Sequence, residues 1–205
     1  MHKLGISVFS FALFAVSIVR VAGQPQDRLI GRWRSTEVSP AGVSAVFEFH
    51  GDNQLDSYPA AISEERYRLI GTDTILLQSK KGQKKQELEW DGRDRARIED
   101  EAAGKSIELV RLGKLPDPKN PLTGEWSTTL AWNGGKYPAR AIFLPDGKVI
   151  WSVTLRTEHG RYSVQGESIR LEIAGRPTVQ GIYALAGDRL TLPNPKGGGS
   201  SFDRF

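Results

Sequence analysis

The chain has no cysteine and only three histidines, and these two shortages exclude several kinds of site. A disulfide, a thiolate zinc site, a thiol nucleophile and a lipid attached through cysteine all need the missing residue. His50 and His159 lie in turn-like segments, and no two histidines share a metal-ligand spacing. The sequence therefore predicts neither a metal nor a cofactor, and it leaves stability to a hydrophobic core and hydrogen bonds.

The sequence also lacks the motifs of common enzyme classes. No serine lies in the Gly-x-Ser-x-Gly elbow of hydrolases. Residues 91–101 hold five carboxylates, but their spacing does not fit a calcium loop and three arginines lie among them. Glu64, Glu65 and Glu158 form no recognisable acid–base pair. An enzyme is therefore not the favoured interpretation, although a carboxylate-based barrel enzyme stays open.

The first 23 residues have the layout of a secretory signal peptide. A basic start ends at Lys3, residues 4–19 carry no charge, and small residues precede Gln24. The uncharged stretch is shorter than the about 20 residues of a transmembrane helix. We expect cleavage after residue 23, export to the periplasm or the medium, no lipid anchor and no integral membrane span. Retention of the segment as an anchor is the alternative.

Cleavage would change the charge balance of the chain. The segment removes Lys3 and Arg20 but no acid, so the formal net charge would fall from +4 to +2. An excess this small does not indicate a nucleic-acid-binding protein.

Long amphipathic helical runs are absent, and the hydrophobic pattern has a period of two. Val43, Ala45, Phe47 and Phe49 alternate with more polar positions, and turn signals recur every 8 to 12 residues. Short strands at that spacing are typical of a sandwich or a barrel. The sequence therefore predicts an all-β protein.

The chain contains an internal repeat. Gly31-x-Trp33 returns as Gly124-x-Trp126, and other matches follow at the same offset of 93 to 95 residues. A proline-rich stretch lies between the two units and favours an extended tether. The repeat predicts a first domain over residues 29–112, a linker over residues 113–121 and a second domain over residues 122–205.

Two hairpins can be assigned a register. The sequence Pro-Asp-Gly at residues 145–147 suits a three-residue loop with glycine in the left-handed region. That loop predicts pairing of Leu144 with Lys148 and of Ala141 with Trp151. The same loop with Asn53 in the left-handed position places Phe47 opposite Ser57. Large and small side chains would thus exchange strands between the two units and roughly conserve the core volume.

Gly-x-Trp on a first strand with Arg on a last strand resembles the calycin families, the lipocalins and compact bacterial lipocalin-like domains among them. The resemblance implies that the arginine packs over the indole where the first strand meets the last. It pairs Trp33 with Arg111 and Trp126 with Arg204. It therefore implies two tandem small antiparallel up-and-down β-barrels of about eight short strands each, which would remove exposed strand edges.

Trp132 and Tyr137 are the best candidates for contact with a ligand or partner. They flank Asn133-Gly134-Gly135, a turn signal at the expected rim of the second barrel. Aromatic residues with a polar tip are favoured at interfaces. A second candidate surface is the lysine-rich hairpin tip of Lys80, Lys81, Lys84 and Lys85. Such a tip protects a strand edge, or it contacts an anionic polymer, a lipid headgroup or an acidic partner.

The sequence thus favours an exported, non-enzymatic binding protein for a small apolar ligand or a cell-envelope component held at a barrel mouth. The alternative is a protein-binding inhibitor of an exported hydrolase that docks through the same rim. The volume of the barrel interior separates the two, because a filled interior leaves only docking through loops.

Overall fold

The computed structural model describes residues 26–100, 104–114, 120–195 and 197–205. The predicted signal peptide and residues 115–119 of the predicted linker lie outside this part of the chain. The described residues form strands, turns and irregular segments, which confirms the all-β prediction. No helix in the described ranges is long and apolar enough to cross a membrane.

Sixteen strands follow one another in the described residues, and nearly all pair antiparallel with a neighbour in sequence. They are β1 (Gly31–Val38), β2 (Val43–Phe49), β3 (Gln54–Ile70), β4 (Thr74–Ser79), β5 (Gly82–Trp90), β6 (Arg95–Asp100), β7 (Lys105–Leu112), β8 (Gly124–Trp132), β9 (Gly135–Phe143), β10 (Lys148–Thr154), β11 (Glu158–Gln165), β12 (Ser168–Ile173), β13 (Val179–Ile182), β14 (Ala184–Ala186), β15 (Arg189–Pro193) and β16 (Gly199–Arg204).

Eight of these strands form a closed antiparallel barrel. Strands β3 to β10 pair in sequence order, and β10 closes the ring by pairing with the second half of β3, from Lys148–Arg66 to Thr154–Ala60. Side chains that alternate along the strands fill the interior. The buried members are Tyr67, Ile75, Leu77, Leu88, Ala96, Ile98, Leu109, Leu122, Trp126, Ala141, Phe143, Val149 and Trp151.

The remaining strands form a second group, which takes its members from both ends of the described chain. Its strands pair in the order β13, β12, β11, the first half of β3, β2, β1, β16, β15 and β14. Only Tyr183 separates β13 from β14, and β13 pairs with no strand but β12. This group has its own core of Leu29, Trp33, Phe49, Leu55, Tyr162, Ile169, Leu171, Leu190, Leu192 and Phe202.

Strand β3 belongs to both groups and is the longest strand of the molecule, with 17 residues. On one side of the Thr154–Ala60 pair it pairs with β10, and on the other side it pairs with β11. When the two repeats are aligned, the Lys148–Arg66 pair corresponds to the Gln54–Arg161 pair. The two repeats are therefore related by an approximate two-fold axis near Ala60 and Thr154.

This arrangement corrects the expectation that each repeat closes its own barrel. The closed barrel combines the second half of the first repeat with the first half of the second repeat, so the two repeats exchange halves. The physical reason lies in β3. Residues 54–70 contain no glycine and no chain reversal, so the strand cannot fold back into its own repeat. The predicted linker accordingly joins β7 to its barrel neighbour β8.

Both predicted hairpin registers are confirmed. Ala141 pairs with Trp151, and the Leu144 amide donates to the Lys148 carbonyl at 2.8 Å. Phe47 pairs with Ser57, and Asn53 has a φ of 66° in the left-handed region. Local turn chemistry therefore fixed these pairs even though the wider strand order differs from the expectation.

The outer faces of the two groups meet at a charged and aromatic contact. Arg32 of β1 makes a bidentate contact with Glu125 of β8, at 2.6 and 2.8 Å, and Arg140 contacts both Glu125 and Glu48. Tyr58 is buried beside this network and donates to Glu48 at 3.4 Å. Burial, and then the Glu48 carboxylate, raise the pKa of Tyr58 well above its ordinary value. The network ties the first strands of the two repeats together.

Candidate functional site

The seam of the closed barrel is a stacked tryptophan and arginine on neighbouring strands. The Arg111 guanidinium lies 4.0 Å from the ring centroid of Trp126, whose own Nε1 donates to the Leu122 carbonyl at 2.8 Å. Arg111 also donates to the carbonyls of Thr123 and Pro121, and its side chain is 1% exposed. Burial lowers the pKa of Arg111, and the nearby Asp94 opposes that shift. These contacts occupy the guanidinium and make it structural.

The second strand group repeats this arrangement. Arg204 lies 4.1 Å from the ring centroid of Trp33, and Trp33 Nε1 donates to the Leu29 carbonyl at 2.7 Å. Arg204 donates to the carbonyls of Ile30 and Arg28 at 2.8 and 2.6 Å. The glycine of Gly-x-Trp makes this possible, because a Cβ on Gly31 would lie 2.8 Å from Arg204 Nη1.

The expected seam partners are therefore wrong, although the motif is present twice. The resemblance paired Trp33 with Arg111 and Trp126 with Arg204, whereas Trp33 pairs in register with Arg204 and Trp126 with Arg111. The exchange of repeat halves explains the difference, because it carries the last strand of each repeat to the first strand of the other. All four side chains already have stacking and hydrogen-bond partners within the seams, so none is a candidate for binding a ligand.

The second strand group opens into an apolar cleft of about 330 Å³. This volume lies in the range of small-molecule sites, about 300–1,000 Å³. The cleft is the end of that group's interior, because its walls are side chains that continue from the buried core. The hydrophobic members are Ala45, Phe47, Leu171, Ile173, Val179, Leu192 and Phe202, with Pro177, Pro193 and Pro195.

Proline and glycine explain why the strands leave this opening. Strand β13 lies beside β15, but no ladder joins the two among the described residues. A Cβ on Gly181 would lie 2.8 Å from the Pro193 ring, so β13 and β15 touch closely there. Proline has no amide hydrogen and cannot donate to a ladder. The two strands therefore meet through side-chain contact, and the end of the interior stays open beside them.

A few polar groups stand on one side of the cleft. Ser35 and Glu37 of β1 and Ser200 of β16 line it together with Asn194, which donates from Nδ2 to Ser200 Oγ at 3.1 Å. The Ser35 hydroxyl accepts the Glu37 amide at 3.1 Å and keeps its own hydrogen to donate. This wall offers hydroxyl donors and one carboxylate opposite the hydrophobic walls of β12 and β13.

Arg176 borders the cleft but is already paired. Its Nη2 lies 2.5 Å from Glu158, which also contacts Arg156 at 3.1 Å. The Glu158 side chain is 13% exposed, so the carboxylate is held largely out of water between two guanidinium groups. Arg176 therefore shapes the border of the cleft as part of an ion-pair cluster.

The structure brings Trp132 and Tyr137 together, as the sequence analysis expected. They are the ends of the β8–β9 hairpin, with ring centroids 6.3 Å apart in an edge-to-face arrangement, and both are half-buried. A Cβ on Gly135 would lie 2.6 Å from the Tyr137 ring, so this glycine provides the space in which the ring lies. Neither residue lines the apolar cleft, which belongs to the other strand group.

The four lysines of the basic hairpin lie where the sequence placed them. Lys80 and Lys81 lie at the turn between β4 and β5, Lys84 and Lys85 follow on β5, and all four are exposed. Strand β4 pairs with β5 from Thr74–Glu87 to Ser79–Gly82. The lysines therefore project from one end of the closed barrel.

Sequence reasoning treated the two histidines as unrelated, but the structure places both on one carboxylate. His50 Nε2 lies 3.2 Å from Asp56 Oδ2, and His159 Nδ1 lies 2.6 Å from Asp56 Oδ1. His159 and Asp56 are cross-strand partners on β11 and β3, a pairing that arises from the exchange of halves. In the described ranges, no group of three or more such side chains is arranged to hold a metal ion.

Comparison of the chain with protein-family models, with curated proteins and with solved structures yields no match.

The apolar cleft was missed because its walls come from distant parts of the chain. Phe47 and Leu171 lie on strands of different repeats, and only the exchange of halves brings them to one interior. A signal was nevertheless present in the sequence. Pro177, Pro193 and Pro195 border strands of the second repeat where the first repeat has no proline, which indicated a weakened ladder there.

Proposed function

We propose that this is an exported, non-enzymatic binding protein that holds one small apolar molecule in the cleft of the second strand group. The observation that supports this proposal is a cavity of about 330 Å³ with mostly hydrophobic walls and a few polar groups on one side. Export rests on the signal-like pattern of residues 1–23. The site differs from the predicted one at Trp132 and Tyr137, but the class of function is the same.

We also propose that the second strand group behaves as a second barrel of lipocalin-like type. The repeated seam of Trp33 and Arg204 supports this, as does the core that continues the interior of the group. The break between β13 and β14 distinguishes it from the closed barrel. In this view one barrel is a packed support and the other carries the ligand.

An apolar ligand is favoured because the hydrophobic walls of the cleft are in contact with water. The partly exposed Phe47, Ile173 and Val179 present carbon atoms to water in the cavity, and an apolar molecule would remove that surface from water. Each 100 Å² of apolar surface so buried contributes about 2.5 kcal/mol before the costs of association. The Glu37 carboxylate accepts from a donor on the ligand and the Ser35 hydroxyl donates to an acceptor, so the two groups fix the orientation of a ligand with a polar end.

The cleft favours this function over the enzyme alternative. General acid–base chemistry on a bound substrate needs two positioned titratable groups. Glu37 is the single carboxylate among the residues that line the apolar cleft, and Arg176 is paired with Glu158. The inhibitor alternative needs loops that dock on an enzyme and gains no support from a cavity.

A fluorescence titration of the mature protein with the neutral dye N-phenyl-1-naphthylamine tests the proposal. We expect saturable binding with one site. Ala45 lines the cleft and is exposed, so Ala45→Trp should fill the opening and abolish the fluorescence increase. The matched control is Ala184→Trp, at an exposed position of β14 that does not line the cleft, and it should bind as the wild type does.

A second variant separates this site from the predicted one. The double change Trp132→Ala and Tyr137→Ala removes the aromatic pair of the closed barrel and should leave dye binding unchanged. Loss of binding in that variant with full binding in Ala45→Trp would overturn the proposed site. Native mass spectrometry of the purified protein would then identify any small molecule that purifies with it.

A further inference from the structure

Two hairpins project from the same end of the closed barrel. In an antiparallel barrel that closes strand by strand, alternate turns lie at the same end. The β4–β5 and β8–β9 turns therefore lie at one mouth together with the end of β6 and the start of β7, and the two turns stand on opposite sides of it because four strands separate them. The lysine-rich tip and the aromatic pair, which the sequence analysis treated as separate candidates, thus share one surface.

This surface has an excess of lysine. Residues 79–85, 100, 105 and 132–137 contain six lysines and one acid, Asp100. The six are Lys80, Lys81, Lys84, Lys85, Lys105 and Lys136, all of them exposed. The opposite end is mixed, because the β5–β6 turn there places Asp91 and Asp94 beside Arg93 and Arg95. The positive charge is therefore concentrated at one mouth.

The absence of arginine from these segments indicates the kind of partner. Arginine recognises a particular phosphate or carboxylate through paired hydrogen bonds, whereas lysine acts as a mobile point charge. Lysine stems also lie along an apolar surface while their ammonium groups stay in water. A fluid anionic surface fits six such groups better than a single defined anion does.

The aromatic pair adds the second feature of a membrane-facing surface. Tryptophan and tyrosine are enriched at the boundary between lipid tails and water, where one part of the ring is apolar and the other is wet. Trp132 and Tyr137 are half-buried at the tip of their hairpin, and Gly135 provides the space that holds the Tyr137 ring in place. The pair lies across the mouth from Lys80 and Lys81.

We infer that this mouth, here called the lysine–aromatic rim (residues 79–85, 105 and 132–137), docks on an anionic lipid surface. The lysines supply attraction to the headgroups, and the Trp132 and Tyr137 rings enter the headgroup region. Strands β3 and β10 continue from this end of the barrel into the second strand group, so contact with the lipid surface is made by the hairpins on the remaining sides of the mouth. This inference does not depend on the cleft, which lies in the other strand group.

Vesicle sedimentation of the mature protein tests the inference. We expect binding to vesicles of phosphatidylcholine with phosphatidylglycerol, weaker binding at higher salt, and none to phosphatidylcholine alone. The triple change Lys80→Gln, Lys81→Gln and Lys85→Gln should weaken binding about 100-fold, since each lysine near an anionic leaflet contributes about a factor of five.

A matched control removes three charges from the opposite end of the same barrel. Arg68→Gln, Arg93→Gln and Arg95→Gln should keep nearly all vesicle binding, because these exposed arginines face away from the rim. Equal weakening by the two triple variants would overturn the inference, since it would show a net-charge effect. Binding to polyphosphate with none to anionic vesicles would also overturn it.

Tryptophan fluorescence supplies an independent readout of the aromatic half of the rim. Trp33, Trp126 and Trp151 are buried, and the half-buried Trp90 packs on Trp126 at the opposite end of the barrel, so a blue shift on addition of anionic vesicles should come mainly from Trp132. Trp132→Phe should remove most of the shift and retain binding through the lysines. A full shift in Trp132→Phe would contradict insertion of the hairpin. Vesicle binding by Ala45→Trp should equal that of the wild type, which separates this inference from the proposed ligand site.

Discussion

The closed barrel and the second strand group are built from matching halves of the two repeats, yet one has a packed core and the other holds an apolar cleft. The comparison is sharpest at equivalent positions of β10 and β3, where Trp151 in the barrel corresponds to Ser57 in the second group. Phe47 replaces Ala141 across the pair and compensates for part of the lost volume. Phe47 also lines the apolar cleft, so the larger residue of this pair borders the opening of the second group.

The two regions also differ in how their rings close. Strand β5 runs unbroken over nine residues in the barrel, whereas its counterpart is divided into β13 and β14. Strand β5 pairs with β4 over Gly82–Glu87 and with β6 over Glu87–Trp90, so one unbroken strand joins its two neighbours. The divided strand gives up hydrogen bonds beside Pro193 and gains an opening. The closed ring of strands and the proposed ligand site therefore lie in different regions of one molecule.

The largest expected effect comes from the seam tryptophans. Trp126→Ala and Trp33→Ala each remove a fully buried indole and should cost about 3–5 kcal/mol of unfolding free energy. Hydrogen exchange locates the damage. Trp126→Ala should reduce amide protection on β3 to β10, while Trp33→Ala should reduce it on β1, β2 and β11 to β16. Loss of protection confined to the β strands of one repeat would contradict the exchange of halves.

A smaller and unequal effect is expected at the seam arginines. The Arg111 side chain is 1% exposed and that of Arg204 is 32% exposed. Removing Arg111, the more buried of the two, leaves backbone carbonyl groups without hydrogen-bond donors at a site that water reaches less easily. Arg111→Ala should cost about 3 kcal/mol and Arg204→Ala about 1 kcal/mol, measured by urea denaturation. The reverse order would show that the closed barrel is the looser of the two regions.

The smallest effect concerns Tyr58, which lies between the two regions. Its pKa is raised by burial and by Glu48, so the folded protein favours the protonated phenol. That preference contributes fully below the ordinary tyrosine value near pH 10 and is lost as the pH rises above it. The wild type should therefore lose stability above about pH 10, by at most about 1.4 kcal/mol per pH unit from this group.

Removing the phenol tests this dependence. Tyr58→Phe should lose about 1 kcal/mol at pH 8 through the missing hydrogen bond, and its stability should fall less steeply in alkali. Tyr162 and Tyr183 also have raised pKa values, so part of the slope should remain. An unchanged alkaline slope in Tyr58→Phe would show that the contact between the two regions does not exclude water.

Local features were predictable from the sequence and the long-range order was not. The all-β class, both hairpin registers and the meeting of Trp132 with Tyr137 follow from alternation and turn chemistry, which act over a few residues. The predicted seam partners were wrong because the internal repeat offers Trp33 two equivalent arginines, Arg111 and Arg204. Nothing in the motif itself separates Arg111 from Arg204.

Strand β3 decides between the two arginines. Residues 54–70 run for 17 positions without the glycine-containing turn that recurs elsewhere in the first repeat, although Pro59 lies within them. A strand of that length extends beyond a small barrel. The cleft could not be predicted without this step, because its walls depend on which strands share an interior.

Paired cysteines test the exchange of halves most directly, because the chain has no cysteine of its own. Val110 pairs with Ser127 and Arg34 with Asp203, at Cα separations that antiparallel partners share with disulfides. Double cysteine variants at 110 and 127 and at 34 and 203 should each oxidise to a disulfide that mass spectrometry maps within one chain. Variants at 34 and 110 and at 127 and 203 should stay reduced. Disulfides in the latter two, with none in the former, would show that each repeat closes on itself and would contradict the account.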